Sequence, residues 1–119
     1  MAQHNELGKK GEQLAIDYLI ENGYVIVEKN YRFQKAEVDI MAKKGSVLAI
    51  VEVKTRSTAY FGNPQDFVNP KKIKLLVTAV DAYVTKRNLD VEIRFDIIAI
   101  IKEQHKFTIE HIKDAFLYF

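Results

Sequence analysis

Apolar residues recur along this chain at two periods, and the switches between them mark the elements. From Leu7 to about Asn22, Leu7, Gly11, Leu14, Ala15, Tyr18 and Leu19 return every three or four positions, which predicts an amphipathic helix with one buried stripe. Asn22-Gly23 ends it, glycine being suited to the left-handed cap of a helix. Tyr24 to about Tyr31 alternates and predicts a strand, and Arg32 to Ala36 a turn. Two short apolar runs follow, Glu37-Val-Asp-Ile-Met-Ala and Leu48-Ala-Ile-Val-Glu-Val-Lys, joined by Lys43-Lys44-Gly45-Ser46. Gly-Ser between strand-forming runs predicts a hairpin with a two-residue loop. Arg56 to Asn69 holds Gly62 and Pro64 and no clear period, and so is expected to be a long loop. Asn69-Pro70 opens a second helix, asparagine as N-cap and proline in the first helical position, with Ile73, Leu76, Val77, Val80, Tyr83 and Val84 as its apolar face. Arg94 to Ile101 predicts a strand apolar on both faces over Ile97–Ile101. Lys106 to Ile112 is a weaker returning strand, and Ala115-Phe-Leu-Tyr-Phe is an apolar tail expected to pack on the body.

The order helix, three strands, helix, strand, weak strand predicts an α/β architecture, a mixed β-sheet flanked by helices. The step from the third strand through the second helix to the fourth is long enough for a parallel, right-handed crossover.

Counting outward from Gly45 and Ser46 sets the hairpin register: Lys44 opposite Val47, Met41 opposite Ile50, Asp39 opposite Glu52 and Glu37 opposite Lys54. Alternation then puts Glu37, Asp39 and Met41 on one face with Leu48, Ile50, Glu52 and Lys54, and Val38, Ile40, Ala42, Ala49, Val51 and Val53 on the other. Two carboxylates facing each other repel, so a positive group is expected beside them. A partly covered pair of this kind suits an oxygen-liganded Mg²⁺ or Mn²⁺. The alternative is an ordinary Glu37–Lys54 ion pair with Asp39 and Glu52 turned to solvent at a sheet edge. Glu12, at the border of the first helix's stripe, could be aimed at the strand carboxylates by a helix packed on the sheet, the alternative being a solvated border residue.

Composition narrows the field. At 119 residues the chain is long enough for one core and is read as a single domain over residues 1–119. A net charge of +2 does not announce a nucleic-acid binder, so any basic surface must come from local clustering. The chain has no cysteine, which excludes disulfides and thiolate metal sites, and His4, His105 and His111 are too scattered to suggest zinc. Met-Ala-Gln-His-Asn-Glu shows no signal-peptide pattern, and no apolar run approaches the roughly 20 residues of a membrane span, so a cytoplasmic protein without membrane contact is expected.

Taken together, Gly8-x-x-Gly11-Glu12-x-x-Ala15-x-x-Tyr18-Leu19, Tyr31-Arg32, Ala36-Glu37-Val38-Asp39-Ile40, Val51-Glu52-Val53-Lys54-Thr55-Arg56, Phe61-Gly62, Lys74 with Ala82-Tyr83, and Arg94-Phe95-Asp96 resemble the YraN family of small bacterial proteins. That family in turn resembles the PD-(D/E)XK nucleases, with a restriction-endonuclease-like fold, and especially the archaeal Holliday-junction resolvases. The resemblance implies a metal-dependent endonuclease acting on DNA, branched DNA included, and a homodimer. By position, Asp39 and Glu52 become metal ligands, Lys54 the catalytic lysine and Glu12 an accessory acid. Val38 stands where the superfamily often has proline, and Ala36 where the YraN pattern has glycine. Substrate contact is then expected from Arg56, from Lys71, Lys72 and Lys74 at the start of the second helix, and from Tyr60 stacking on bases. Three lysines on a helix otherwise form only a solvated face. The second reading is a nuclease-like module that grips nucleic acid or a protein without turnover. Arg94 and Asp96, on one face of the fourth strand, are expected to form a structural pair.

Overall fold

The computed structural model describes residues 6–57 and 69–115. The elements follow in the order α1 (Glu6–Glu21), β1 (Val25–Phe33), β2 (Ala36–Lys44), β3 (Val47–Arg56), α2 (Pro70–Arg87), β4 (Glu92–Glu103) and β5 (Lys106–Ile112). The five strands form one mixed sheet in sequence order, antiparallel except for β3 and β4, which run parallel and are joined through α2. The predicted order of elements and the parallel crossover step are therefore present. The longer reach of β1 is a correction: it extends to Phe33, and the turn shrinks to Gln34-Lys35, with Gln34 taking a left-handed φ of 56°.

Local chemistry explains the boundaries. At the end of α1, Gly23 (φ 90°) closes a pair of reverse bonds, Tyr24 N–H to the Leu19 carbonyl at 3.0 Å and Gly23 N–H to Ile20 at 3.1 Å. The start of α2 uses the expected cap, the Asn69 side-chain oxygen accepting the Lys72 N–H at 2.8 Å with Pro70 following. Asn88 (φ 54°) ends α2 in the left-handed conformation that asparagine tolerates.

The two helices lie on opposite faces of the sheet. Ala15 and Leu19 of α1 share a buried cluster with Ile40, Ala42, Ala49, Val51, Ile98 and Ile100. Leu76, Val80 and Tyr83 of α2 share another with Met41, Leu48, Ile50 and Phe95. Neighbours such as Met41 and Ala42 divide between the two clusters, as strand alternation requires. Val38 is the exception. Alternation assigns it to the face of Ile40, yet it packs on the α2 side beside Tyr31. The β1–β2 ladder keeps one register on either side but has no rung at Asn30 (φ 53°) and Asp39, between the Lys29–Ile40 and Tyr31–Val38 pairs.

A buried polar network lies on the α1 face. Asp96 is fully buried and accepts from Arg94 Nε at 2.9 Å and Nη2 at 2.8 Å and from the Asp114 N–H at 3.1 Å. Its Oδ2 also meets His111 Nε2 at 2.8 Å, and His111 Nδ1 meets the Tyr18 hydroxyl at 3.1 Å. Arg94 Nη2 donates to the Tyr24 hydroxyl at 2.6 Å. The Arg94–Asp96 pair is thus as expected. The joining of His111, Tyr18 and Tyr24 to it goes beyond the sequence reading. A signal for it exists in β5, where His111 shares the inward face with Phe107 and Ile109. The start of the apolar tail, Ala115, is buried with Ile97, and its N–H donates to the Phe95 carbonyl at 2.7 Å, while residues 116–119 lie outside the described part.

Candidate metal and nucleic-acid site

The β2–β3 hairpin follows the counted register near its turn, from Lys44–Val47 and Met41–Ile50 as far as Ile40–Val51. Gly45 supplies the positive φ of the turn, 61°. Beyond Val51 the ladder stops, and the expected direct pairing of Asp39 with Glu52 and of Glu37 with Lys54 is replaced by a split. The Asp39 side chain fills it, Oδ2 accepting the Val53 N–H at 2.8 Å. Glu37 instead faces Arg32 at 3.5 Å, and Lys54 Nζ reaches Glu52 Oε2 at 3.4 Å. The physical reason is that a carboxylate competes well for a strand N–H, and a charge-assisted bond to it outweighs one more rung of the ladder.

The split opens into a cavity of about 550 Å³ between the first turns of α1 and α2. Asp39, Glu52, Lys54, Glu12, Arg56 and Lys72 all line it. Six residues singled out from sequence therefore converge, though they come from four elements. Lys71 and Lys74 are exposed and do not line this cavity; of the three lysines, Lys72 does. Helical geometry is the cause: only one of these neighbouring positions can point along the sheet edge. Tyr60 lies outside the described residues.

Each element delivers its side chain for an identifiable reason. Glu12 follows Gly11, where α1 rides so close to β3 that a Cβ would come within 1.9 Å of Thr55 Oγ1. Only glycine permits that approach, and it brings Glu12 to the cavity rim. Lys72 belongs to the first turn of α2, and its backbone N–H is the one that Asn69 caps. The Lys72 ammonium lies 2.6 Å from Glu52 Oε2, a contact the sequence did not reveal because the two residues belong to separate elements.

Electrostatics single out Asp39. Burial, then the nearby Glu52 carboxylate, push its carboxyl up to about 7, with Glu12 adding to the rise. The Val53 N–H and the Lys72 ammonium oppose this without cancelling it. Glu52 itself is only 7% exposed. Among the described residues no group of three or more His, Cys, Asp and Glu side chains is arranged to hold a metal ion. The donors present are hard carboxylate oxygens with excess local negative charge at Asp39. This fits a hard divalent cation bound by one or two carboxylates, with water or phosphate oxygens completing its shell.

Residues 11–100 match the uncharacterised protein family UPF0102. A UPF0102 protein of Christiangramia forsetii is 66% identical over the full length of both chains, and one of Flavobacterium psychrophilum is 60% identical, also over the full length of both. A third, from Phocaeicola vulgatus, is 48% identical over 98% of this chain and 96% of its own. No helix among the described residues is long and apolar enough to cross a membrane. The chain belongs to the UPF0102 family, the YraN family that its motifs resemble.

Proposed function

We propose that this protein is a divalent-metal-dependent endonuclease that hydrolyses phosphodiester bonds of DNA, branched DNA among them, on a restriction-endonuclease-like fold. The observation that carries the reading is the meeting of Asp39, Glu52 and Lys54 in one open cavity where the β2–β3 ladder splits. The order helix, antiparallel strands, crossover helix, parallel strand supports the fold assignment. Mg²⁺ or Mn²⁺ on Asp39 and Glu52 would polarise the phosphate and lower the pKa of bound water.

The chain's own groups do the rest. Asp39 and Glu52 fix the position of the positive charge, and the Val53 N–H holds Asp39 in place. Lys54, on the same strand as Glu52, orients the attacking water and balances charge growing on the phosphoryl oxygens. Glu12 holds a second water from the α1 side, and Arg56 at the rim faces an incoming phosphate. A cytoplasmic homodimer would join two such edges into a broader basic surface than a net charge of +2 provides.

One observation favours the second reading, a module that grips DNA without cutting it: Glu52 already carries two lysine ammonium groups. A single experiment decides between them. Purified protein is incubated with four-way, flapped, single-stranded and linear DNA in Mg²⁺ or Mn²⁺, beside Lys54→Ala. Product from wild type alone establishes the enzyme and ranks its substrates. Retention of DNA by both proteins with no product from either rejects turnover.

A further inference from the structure

We infer that Lys72 is the resting counter-ion of this site: it neutralises Glu52 until a divalent ion takes the carboxylate, and it then passes to a DNA phosphate, so that metal and DNA bind cooperatively. The inference rests on the reading of Asp39 and Glu52 as a divalent-cation site.

Three features support it. First, both lysines converge on one atom. Lys72 Nζ is 2.6 Å and Lys54 Nζ 3.4 Å from Glu52 Oε2, so a metal ion approaching that oxygen competes with Lys72 most directly. Second, the two lysines differ in freedom. Lys54 is two residues from Glu52 on the same strand, whereas Lys72 reaches across from another element. The Lys72 side chain is 35% exposed against 25% for Lys54 and 7% for Glu52, so its ammonium can turn outward, away from the strand that carries Glu52, while the carboxylate stays put. Third, Lys72 sits where a lysine is disfavoured. The first turn of a helix carries partial positive charge, and Lys71 adjoins it. Such a side chain needs an anion. Glu52 serves without metal, and a backbone phosphate at the cavity mouth serves once Glu52 is taken. The Asn69 cap on the Lys72 N–H fixes the base of the side chain through both states.

Cooperativity follows from linkage. Metal releases the lysine that DNA uses, and DNA holds away the lysine that competes with metal; the two effects must be equal in free energy.

The test compares wild type, Lys72→Met, which keeps the side-chain stem without its charge, and Asp39→Asn. Mn²⁺ is titrated calorimetrically into each without DNA, after thermal unfolding has shown that the variants fold. Lys72→Met is expected to bind Mn²⁺ about tenfold more tightly than wild type, within the usual range of coupling between sites, and Asp39→Asn not at all. Fluorescence anisotropy of a short duplex then compares EDTA with Ca²⁺, a probe that takes the same hard oxygen ligands. Ca²⁺ should tighten duplex binding by wild type and do so several-fold less for Lys72→Met. Equal or weaker Mn²⁺ binding by Lys72→Met, with wild type still binding, overturns the counter-ion role and leaves the metal site standing. Equal tightening by Ca²⁺ in both proteins overturns the transfer to phosphate. Mn²⁺ uptake by neither wild type nor Lys72→Met removes the metal site and this inference with it.

Discussion

Replacing Asp39 by asparagine should stabilise the metal-free protein above neutral pH and leave it unchanged in acid. In the folded chain the Asp39 carboxyl is pushed from its ordinary 3.8 to about 7. Below about pH 4 it is protonated whether the chain is folded or not, and it contributes nothing to the balance. Between about pH 4 and 7 the unfolded chain releases this proton first, so folding becomes progressively less favourable; above about pH 7 both states are ionised and the penalty is level. The displacement corresponds to about 4 kcal/mol, taking 1.36 kcal/mol for each tenfold in proton affinity. Residual hydration of a partly covered carboxylate reduces that to about 2–4 kcal/mol. The asparagine side chain carries no charge, and its amide oxygen can accept the Val53 N–H in place of the carboxylate. The variant should therefore exceed wild type by about 2–4 kcal/mol near pH 8, or about 8–16 °C in Tm for a chain of this size, and match it near pH 3. Urea and thermal unfolding in EDTA measure both. Saturating Mn²⁺, at about a hundredfold its Kd, should restore about 2.7 kcal/mol to wild type alone. A difference that does not change with pH, or a variant less stable than wild type near pH 8, refutes the argument that uncompensated charge resides at Asp39.

Lys54→Ala should lower cleavage by about 10²–10³-fold, with an unchanged circular dichroism spectrum and unfolding midpoint within about 1 kcal/mol, as removal of a charge-stabilising donor does elsewhere; cleavage at the wild-type rate would remove the lysine from the chemistry. Gly11→Ala drives a methyl group into Thr55 and should cost about 1–3 kcal/mol in urea unfolding, part of it recovered in the double variant with Thr55→Ala; strict additivity of the two changes would show that the close approach of α1 and β3 is not real. Asp96→Asn leaves the half-buried Arg94 without its counter-charge and should cost about 2–4 kcal/mol, while sparing Mn²⁺ binding. Loss of Mn²⁺ uptake in a folded Asp96→Asn protein would mean that the two carboxylate clusters are not independent.

Much of the scaffold was legible because it rests on local rules. Asn69-Pro70 announced a helix start, Asn22-Gly23 a helix end, and Gly45-Ser46 a turn whose register propagates correctly as far as Ile40 and Val51. Counting failed where the side chain of Asp39 replaced a backbone partner, since period-two logic assumes that each strand N–H stays in the ladder. It failed at the neighbouring Val38, where the β1–β2 ladder has no rung at Asp39 and the left-handed Asn30. For the candidate site, the nearness of its strand residues was legible and their contacts were not. Asp39, Glu52 and Lys54 are close in sequence, and their strand geometry nearly dictates their meeting. Lys72 lies 20 residues beyond Glu52, and no periodicity within α2 says which of Lys71, Lys72 and Lys74 turns toward the sheet edge. That depends on the rotation of the helix, set by how Leu76, Val80 and Tyr83 seat on Met41, Leu48 and Phe95.

The two acidic clusters of this fold carry opposite instructions. Asp96 is the more deeply buried, and burial alone would raise its pKa. Yet bonds from His111, Arg94 and the Asp114 N–H overcome that and hold it below the ordinary carboxylate range. Asp96 is a finished site: charge and hydrogen bonds are satisfied from within, and a further cation would have to break existing contacts. Asp39 has one backbone donor, a neighbouring carboxylate and Glu12 nearby, and it is driven the other way. A sheet that satisfies one buried aspartate so fully has the means to satisfy another. On the proposed reading, the rise at Asp39 marks a site whose positive partner would come from outside the chain. The same reasoning underlies the role inferred for Lys72, because it contacts Glu52 directly, lowers the charge strain at Asp39 without cancelling it, and comes from a side chain with access to solvent.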